Sequence, residues 1–279
     1  MTPHALREAA LRWRAAGRAA AVVEVVAARG SVPREPGTRM LVAADEVLGT
    51  IGGGHLELRA IEDARRLLRE PGAPVLQQIA LGPALGQCCG GALQLRLALL
   101  ADAAVDPAQW LLPAPRFHLQ LYGAGHVGRA IATLLAGVPC RVQWIDERES
   151  EFPAAPPPPH IQRLCVEPAE AEVATAPPGA FYLVLTHSHD LDLALTRAIL
   201  ARGDFGFFGL IGSATKRARF EHRLRERGCA PALIERIACP IGLPGIAGKE
   251  PAVIAVAAVA QLLAQPAPLK PGAPRPIME

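Results

Sequence analysis

The stretch from Phe117 to Asp146, FHLQLYGAGHVGRAIATLLAGVPCRVQWID, constrains the fold more than any other part of this chain. FHLQLY has the composition and brevity of a strand in a buried parallel sheet. A glycine turn, Gly123-Ala124-Gly125-His126-Val127-Gly128, follows at once, then a helical run from Arg129 to Leu135, then a second strand, RVQWID, ending on an acid. Each glycine has a separate job in such a turn. Gly123 permits the tight exit from the strand, Gly125 lets a phosphate approach the backbone, and Gly128 lets the helix pack closely on the strand. The helix N-terminus offers unpaired N–H groups and a positive dipole end to an anion. Asp146 lies about 20 residues on, where a dinucleotide-binding fold places its ribose-binding acid. The spacing predicts a Rossmann-type unit. The same turn can also pack well and bind nothing, because fold does not fix function.

A chain of 279 residues suggests two domains, and 51% hydrophobic residues are ample for a large core. The net charge of +3 is small and evenly spread, with no basic run interleaved with aromatics, so a nucleic-acid partner is not expected. No stretch of about 18 uncharged apolar residues is present, which argues against a membrane span. The first residues, MTPHALREAALRWRAAG, are charged throughout and unlike a signal peptide. The cysteines are Cys88, Cys89, Cys140, Cys165, Cys229 and Cys239; without a secretion signal, free thiols in a reducing cytoplasm are expected.

Along the N-terminal part, the pattern predicts a helix from His4 to Ala16, a buried strand from Ala19 to Ala28, and a loop at Arg29-Gly30-Ser31-Val32-Pro33-Arg34. RMLVA and EVLGTI form an expected hairpin about Ala44-Asp45, followed by a helix to about Glu70 and two further strands, APVLQQIAL and ALQLRLALL. Three prolines between Ala104 and Pro115 place the boundary near 113. The expected organisation is an α/β N-terminal domain over 1–113, a Rossmann-like parallel-sheet domain over 114–265, and a Pro-rich tail over 266–279. In the second domain, ERESEFPAAPPPPH reads as an exposed loop of polyproline character. HIQRLC, FYLVLT and FGFFGLIG read as strands, Leu191–Arg202 and Ala214–Arg227 as helices, and Pro251 as the start of a last helix.

Four loops carry candidate chemistry. Gly52-Gly53-Gly54-His55 lies at a strand-to-helix junction, where consecutive glycines can form an anion nest; the plain alternative is a tight turn with His55 as a helix cap. Gln87-Cys88-Cys89-Gly90-Gly91 can hold a reactive thiolate or a soft metal ligand, or two small buried hydrophobes. Without CxxC spacing it does not read as structural zinc. Thr186-His187-Ser188-His189-Asp190 follows a strand at its carboxyl end, where open α/β sheets bind ligands. Gly209-Leu210-Ile211-Gly212-Ser213 with Lys216 sets glycines, a hydroxyl and a cation at another strand end, suited to a phosphate or to a plain N-cap by Ser213.

Taken together and in this order, these motifs, with Arg29-Gly30-Ser31-Val32-Pro33-Arg34 ahead of them, Gly49-Thr50-Ile51 before and Leu56-Glu57 after the first glycine run, and Pro240-Ile241-Gly242-Leu243 near the end, resemble the xanthine dehydrogenase accessory proteins of the XdhC and CoxI family. The likeness runs from about Ala28 to Leu263; only the Pro-rich insertion after Asp146 and the Pro-rich tail depart from it. The resemblance implies a maturation factor without turnover of its own. Such a factor binds the molybdenum cofactor (molybdopterin), protects it while its terminal sulfur is installed, and delivers it to a xanthine dehydrogenase-like molybdenum hydroxylase. The implied partners are that hydroxylase and a cysteine desulfurase, with a homo-oligomer expected. The cofactor would lie where the two domains meet, on Gly52, Gly53, Gly54, His55, Cys88, Cys89, Gly123, Gly125, Gly128, Asp146, His187, His189, Ser213 and Lys216. Thiolates suit a soft molybdenum–dithiolene centre, and Cys89, directly before two glycines, is the first candidate for a molybdenum ligand. Two rival expectations remain. One is an NAD-dependent oxidoreductase using Gly123, Gly125, Gly128 and Asp146, with His187 or His189 as acid–base. The other is a scaffold whose Rossmann domain binds nothing.

Overall fold

The computed structural model describes residues 1–81 and 91–266. The chain divides into two compact units, Met1–Pro113 and Ala114–Glu279. The first opens with α1 (Pro3–Ala15), capped by Thr2, whose hydroxyl accepts from the Ala5 N–H at 3.2 Å. Then come β1 (Ala20–Arg29), β2 (Arg39–Ala43), β3 (Val47–Gly49), α2 (Gly54–Arg69), β4 (Val75–Ala80) and β5 (Ala92–Leu99). The five strands form one sheet in the order β3-β2-β1-β5-β4. Every neighbouring pair is antiparallel, and α2 crosses the sheet from β3 at one edge to β4 at the other, which run the same way. Alternation along β1 sends Ala21, Val23 and Val25 to the face covered by α2, and Ala20 and Val22 to the face covered by α1. Leu56, Ala60, Ala64 and Leu67 form the buried stripe of α2, at the spacing of one helical face.

One charged residue interrupts the buried face of β1. Glu24 stands directly opposite Arg39 on β2 and Arg96 on β5, and both guanidinium groups pair with its carboxylate. Arg39 also stacks over the Trp110 ring at 4.8 Å. The carboxylate is thus enclosed between two cations on adjacent strands, which offsets its desolvation.

The second unit contains β6 (His118–Tyr122), α3 (His126–Leu135), β7 (Arg141–Asp146), β8 (Ile161–Cys165), β9 (Phe181–Val184), α4 (His189–Arg202), β10 (Phe207–Leu210), α5 (Ala214–Glu226), α6 (Pro231–Glu235), β11 (Ile237–Ala238) and α7 (Pro251–Ala264). Its sheet runs β11-β10-β9-β6-β7-β8 with all pairings parallel. This is the doubly wound dinucleotide-fold order, with the chain reversing its direction of travel between β6 and β9. Leu119 and Leu121 face α3 and α7, whereas Tyr122 faces the side covered by α4 and α5. A 3-10 segment, Ala169–Thr175, replaces a long crossover helix between β8 and β9. Among the described residues no helix is long and apolar enough to cross a membrane.

The segment after Asp146 differs from the exposed loop expected from its prolines. Glu149–Glu151 forms a 3-10 turn, and Phe152 is buried edge-on against the Trp144 ring with centroids 5.2 Å apart. One aromatic side chain anchors the start of the segment by the area it buries; proline content alone concealed this.

Candidate functional site

The first glycine run folds as a nest, and its occupant is internal. Gly52, Gly53 and Gly54 all have positive φ (127°, 79° and 66°). A side chain at Gly52 would fall 2.6 Å from the Pro33 Cβ. The Ile51 and Gly53 N–H groups donate to Glu57 Oε2 at 2.9 and 3.1 Å, and the Thr50 hydroxyl donates to the same oxygen. The nest expected to receive a ligand anion is filled by the chain's own carboxylate. Gly53, rather than His55, is the N-cap of α2, and His55 is exposed. Glu57 closes the Gly49–Glu57 stretch of the resemblance but is not among the residues assigned to the cofactor; its signal is an acid one turn into the helix that glycines open.

The Rossmann turn divides its glycines between packing and access. Gly123 has φ 116°, and a Cβ there would lie 2.4 Å from the Leu185 carbonyl oxygen. At Gly128 it would lie 2.0 Å from the Gly123 carbonyl oxygen. At Gly125, the N-cap of α3, it would meet nothing within 4 Å. Gly125 is therefore the open position at the helix N-terminus, where backbone N–H groups can face an anion. Asp146, at the end of β7, is buried. Ala124 N donates to its Oδ2 at 2.7 Å, and Arg148 donates to Oδ1 from both N and Nε at 3.0 Å. Burial pushes its carboxyl up, but the bonds from Arg148 and from the Ala124 and Arg148 N–H groups outweigh this and hold it below the ordinary aspartate range.

A cleft of about 350 Å³ opens at the carboxyl ends of β9 and β10, and His187, His189, Ser213, Lys216 and Arg219 line it. Both histidines line this one cleft, as residues two apart along an extended chain would. The chain does not stay extended here. Ser188 N donates to the Thr186 hydroxyl at 3.2 Å, and Ser188 Oγ caps α4 by accepting from Leu191 N at 3.3 Å. His189 is already the first residue of α4. Across the cleft, Ser213 Oγ caps α5 by accepting from Lys216 N at 3.3 Å. Two helix N-termini, α4 and α5, thus meet the same cleft.

Asp192, which no sequence motif marks, joins the two loops. It is 0% exposed. Its Oδ1 accepts from Thr186 N at 3.0 Å and Thr186 Oγ1 at 2.7 Å, and its Oδ2 accepts from Lys216 Nζ. Lys216 Nζ also donates to the Ile211 carbonyl at 2.9 Å. Gly212 leaves room for that lysine to lie down, since a Cβ there would be 2.7 Å from Lys216 Cδ. Lys216 therefore positions the loops first, with part of its donor capacity left over. Removing Asp192 would strand a half-buried cation, at a cost of about 3–5 kcal/mol. The exposed Arg219 is the cation of this cleft without an ion pair among the described residues.

Cys88 and Cys89 lie outside the described residues. Of the other thiols, Cys140 and Cys239 are buried and Cys165 is exposed at the end of β8. Burial pushes the Cys140 thiol up to about 12, far from the thiolate form. Among the described residues no group of three or more His, Cys, Asp or Glu is placed to hold a metal ion. A larger cleft, about 600 Å³, is lined by Arg197, Arg227 and Cys229 and by none of the residues singled out from the sequence.

Comparison with known proteins agrees with this architecture. Residues 119–262 match the family described as the XdhC Rossmann domain, and residues 13–79 match the XdhC and CoxI family. A protein of Escherichia coli K12, YqeB, described as uncharacterized, is 33% identical over 250 residues, covering 87% of this chain. The chain spans only 43% of that relative's length. A crystal structure from Bacillus halodurans, described as a xanthine dehydrogenase, superposes with a TM-score of 0.70 over 94% of this chain and 95% of that one. At 18% identity it speaks to the fold alone.

Proposed function

This chain belongs to the XdhC and CoxI family, and from that premise we propose that it binds the molybdenum cofactor and delivers it to a xanthine dehydrogenase-type hydroxylase. Family membership implies a role in xanthine dehydrogenase maturation; cofactor binding, protection and transfer are our reading of how that role is carried out. The observation that supports it is the cleft between the α4 and α5 N-termini. Imidazoles of His187 and His189, the Ser213 hydroxyl and the Arg219 guanidinium suit an anionic, hydrogen-bonding ligand of small size. Molybdopterin carries a phosphate and a polar pterin, which fit that donor set. Its dithiolene end asks for soft donors, for which Cys89 and Cys88 remain the candidates. In this role the protein works in the cytoplasm beside the hydroxylase, with a cysteine desulfurase as sulfur source and a second copy of the chain as partner.

Within the cleft, Arg219 and the helix N-termini bind and orient the anion, and the Asp192–Lys216–Thr186 network holds the two loops at a fixed separation. The test is to purify the full chain from cells making the cofactor, oxidise it, and measure the fluorescent pterin released per chain. The parent should carry pterin and restore activity to cofactor-free hydroxylase. The His187→Ala/Arg219→Ala double variant should retain about ten-fold less, equivalent to roughly 1.4 kcal/mol of affinity. Equal retention by parent and variant, or a parent without pterin, would overturn the assignment.

A further inference from the structure

Asp146 occupies the position at which a dinucleotide fold receives a ribose diol. A carboxylate offers about four lone-pair directions, and here four donors use them. Besides the three bonds already described, Arg148 Nη2 donates to Oδ2 at 3.1 Å. The Asp146 side chain is 3% exposed. The guanidinium that covers it is held from behind, because Arg148 Nη1 donates to Glu151 Oε1 at 3.4 Å. Glu151 is held in turn by Arg129, whose Nη2 donates to Glu151 Oε2 at 2.6 Å. Arg129 Nε reaches the Ala124 carbonyl at 2.9 Å and the Glu151 carbonyl at 2.8 Å. The contacts close a ring, Ala124–Asp146–Arg148–Glu151–Arg129–Ala124, around the glycine turn. Buried Phe152 pins the segment that supplies Glu151.

We infer that Arg148, backed by Glu151, is a specificity-determining residue that shuts the ribose position of the Rossmann turn against adenine dinucleotides while leaving the phosphate position at Gly125 open. A ribose diol can reach Asp146 only by displacing a guanidinium that makes two charge-assisted bonds to it. At Gly125, by contrast, a Cβ would meet nothing within 4 Å. This holds whether or not the cleft at β9 and β10 binds the pterin, because the two lie on different loops.

The experiment is titration of the full chain with NADH and with ADP-ribose, by fluorescence and calorimetry, with circular dichroism as the folding control. The parent should bind both more weakly than about 1 mM. Arg148→Ala should tighten both about ten-fold or more, and Glu151→Gln, which frees the guanidinium without touching Asp146, should give a smaller change of the same sign. Adding Asp146→Asn to Arg148→Ala should lower the gain, because an amide offers the diol one neutral acceptor oxygen in place of a charged, two-oxygen carboxylate. Micromolar binding by the parent, or affinities within two-fold of the parent in both folded single variants, would overturn the inference. Should Arg148→Ala not fold, the sign of the Glu151→Gln change decides. Pterin retention, measured separately, reports on the proposed function and is not expected to follow these changes.

Discussion

Two glycine-rich strand-to-helix turns, Gly52-Gly53-Gly54 and Gly123 to Gly128, read alike in sequence and differ in what they do with an anion. In the first, three successive positive φ angles curl the backbone around Glu57, and the donors point at a carboxylate seven residues from Thr50 in the chain. In the second, two glycines are consumed by close approach of backbone to backbone, and Gly125 alone stays open. Glycine spacing reports where the backbone must bend or touch itself. It does not report whose negative charge the exposed N–H groups will meet. That depends on whether an acid is within reach along the next helical turn. α2 has one there; the first turn of α3 has none, and the acid that does reach this turn, Asp146, comes from the end of β7 and takes the Ala124 N–H.

The comparison can be broken most sharply at Gly128. A methyl group there would sit 2.0 Å from a carbonyl oxygen, so Gly128→Ala should destabilise the second unit by about 3 kcal/mol, read as a lower urea midpoint. Next comes Glu57→Ala, which leaves two N–H groups and a hydroxyl without their acceptor. It should cost about 1–2 kcal/mol by the same measurement, and Glu57→Gln should cost less. Loss of no stability at all would mean that water replaces the carboxylate and that the nest is open after all. A third effect is visible only in acid. The Asp146 carboxyl is held below its usual range in the folded chain. Its contribution is fully present above the unfolded value of about 3.9 and drains away as pH falls through the folded value. Asp146→Asn should therefore flatten the decline of stability below about pH 4, followed by urea midpoints at pH 7 and pH 3. The smallest change is expected at Gly125→Ala, which should move stability by less than about 0.5 kcal/mol while weakening any phosphate ligand of the turn, measured by calorimetry.

The strand–turn–helix–strand unit at Phe117–Asp146 was legible because its signals are local: period, glycine spacing and a terminal acid fall within one short segment. The hairpin of Arg39–Ala43 with Val47–Gly49 and the proline at the start of α7 were legible for the same reason. What was not legible depends on partners distant in sequence. Asp192 looks like one more acid in the first turn of a helix, yet it sits on the face that buries Leu195, Thr196 and Ile199. An acid on an apolar face must have a cation, and the partner is Lys216, supplied by the next helix. Arg148 stands out in the sequence only as a neighbour of Asp146; its grip on that residue needs Glu151 and Arg129 in place. That His187 and His189 share a side is what a period of two gives; that a serine cap makes His189 the first residue of a helix was not legible. The short elements Pro231–Glu235 and Ile237–Ala238 carry too few residues to show a period at all.

The Arg39–Glu24–Arg96 cluster has a consequence for how the first sheet finds its alignment. β1 is otherwise a run of alanines and valines, AAVVEVVAA, that would pair almost equally well in several alignments. Glu24 removes that degeneracy. A slip of one residue would turn its carboxylate toward the apolar face of Leu56, Ala60 and Ala64 of α2, away from Arg39 and Arg96. A slip of two would keep its face but set it opposite Leu41 or Gly37 on one side and Gln94 or Ala98 on the other, away from both guanidinium groups. The bulge between Val25 and Ala27 begins just beyond this point. The strand is thus keyed at a single tooth: one charge proofreads the alignment of three strands, and the irregularity lies just past the key.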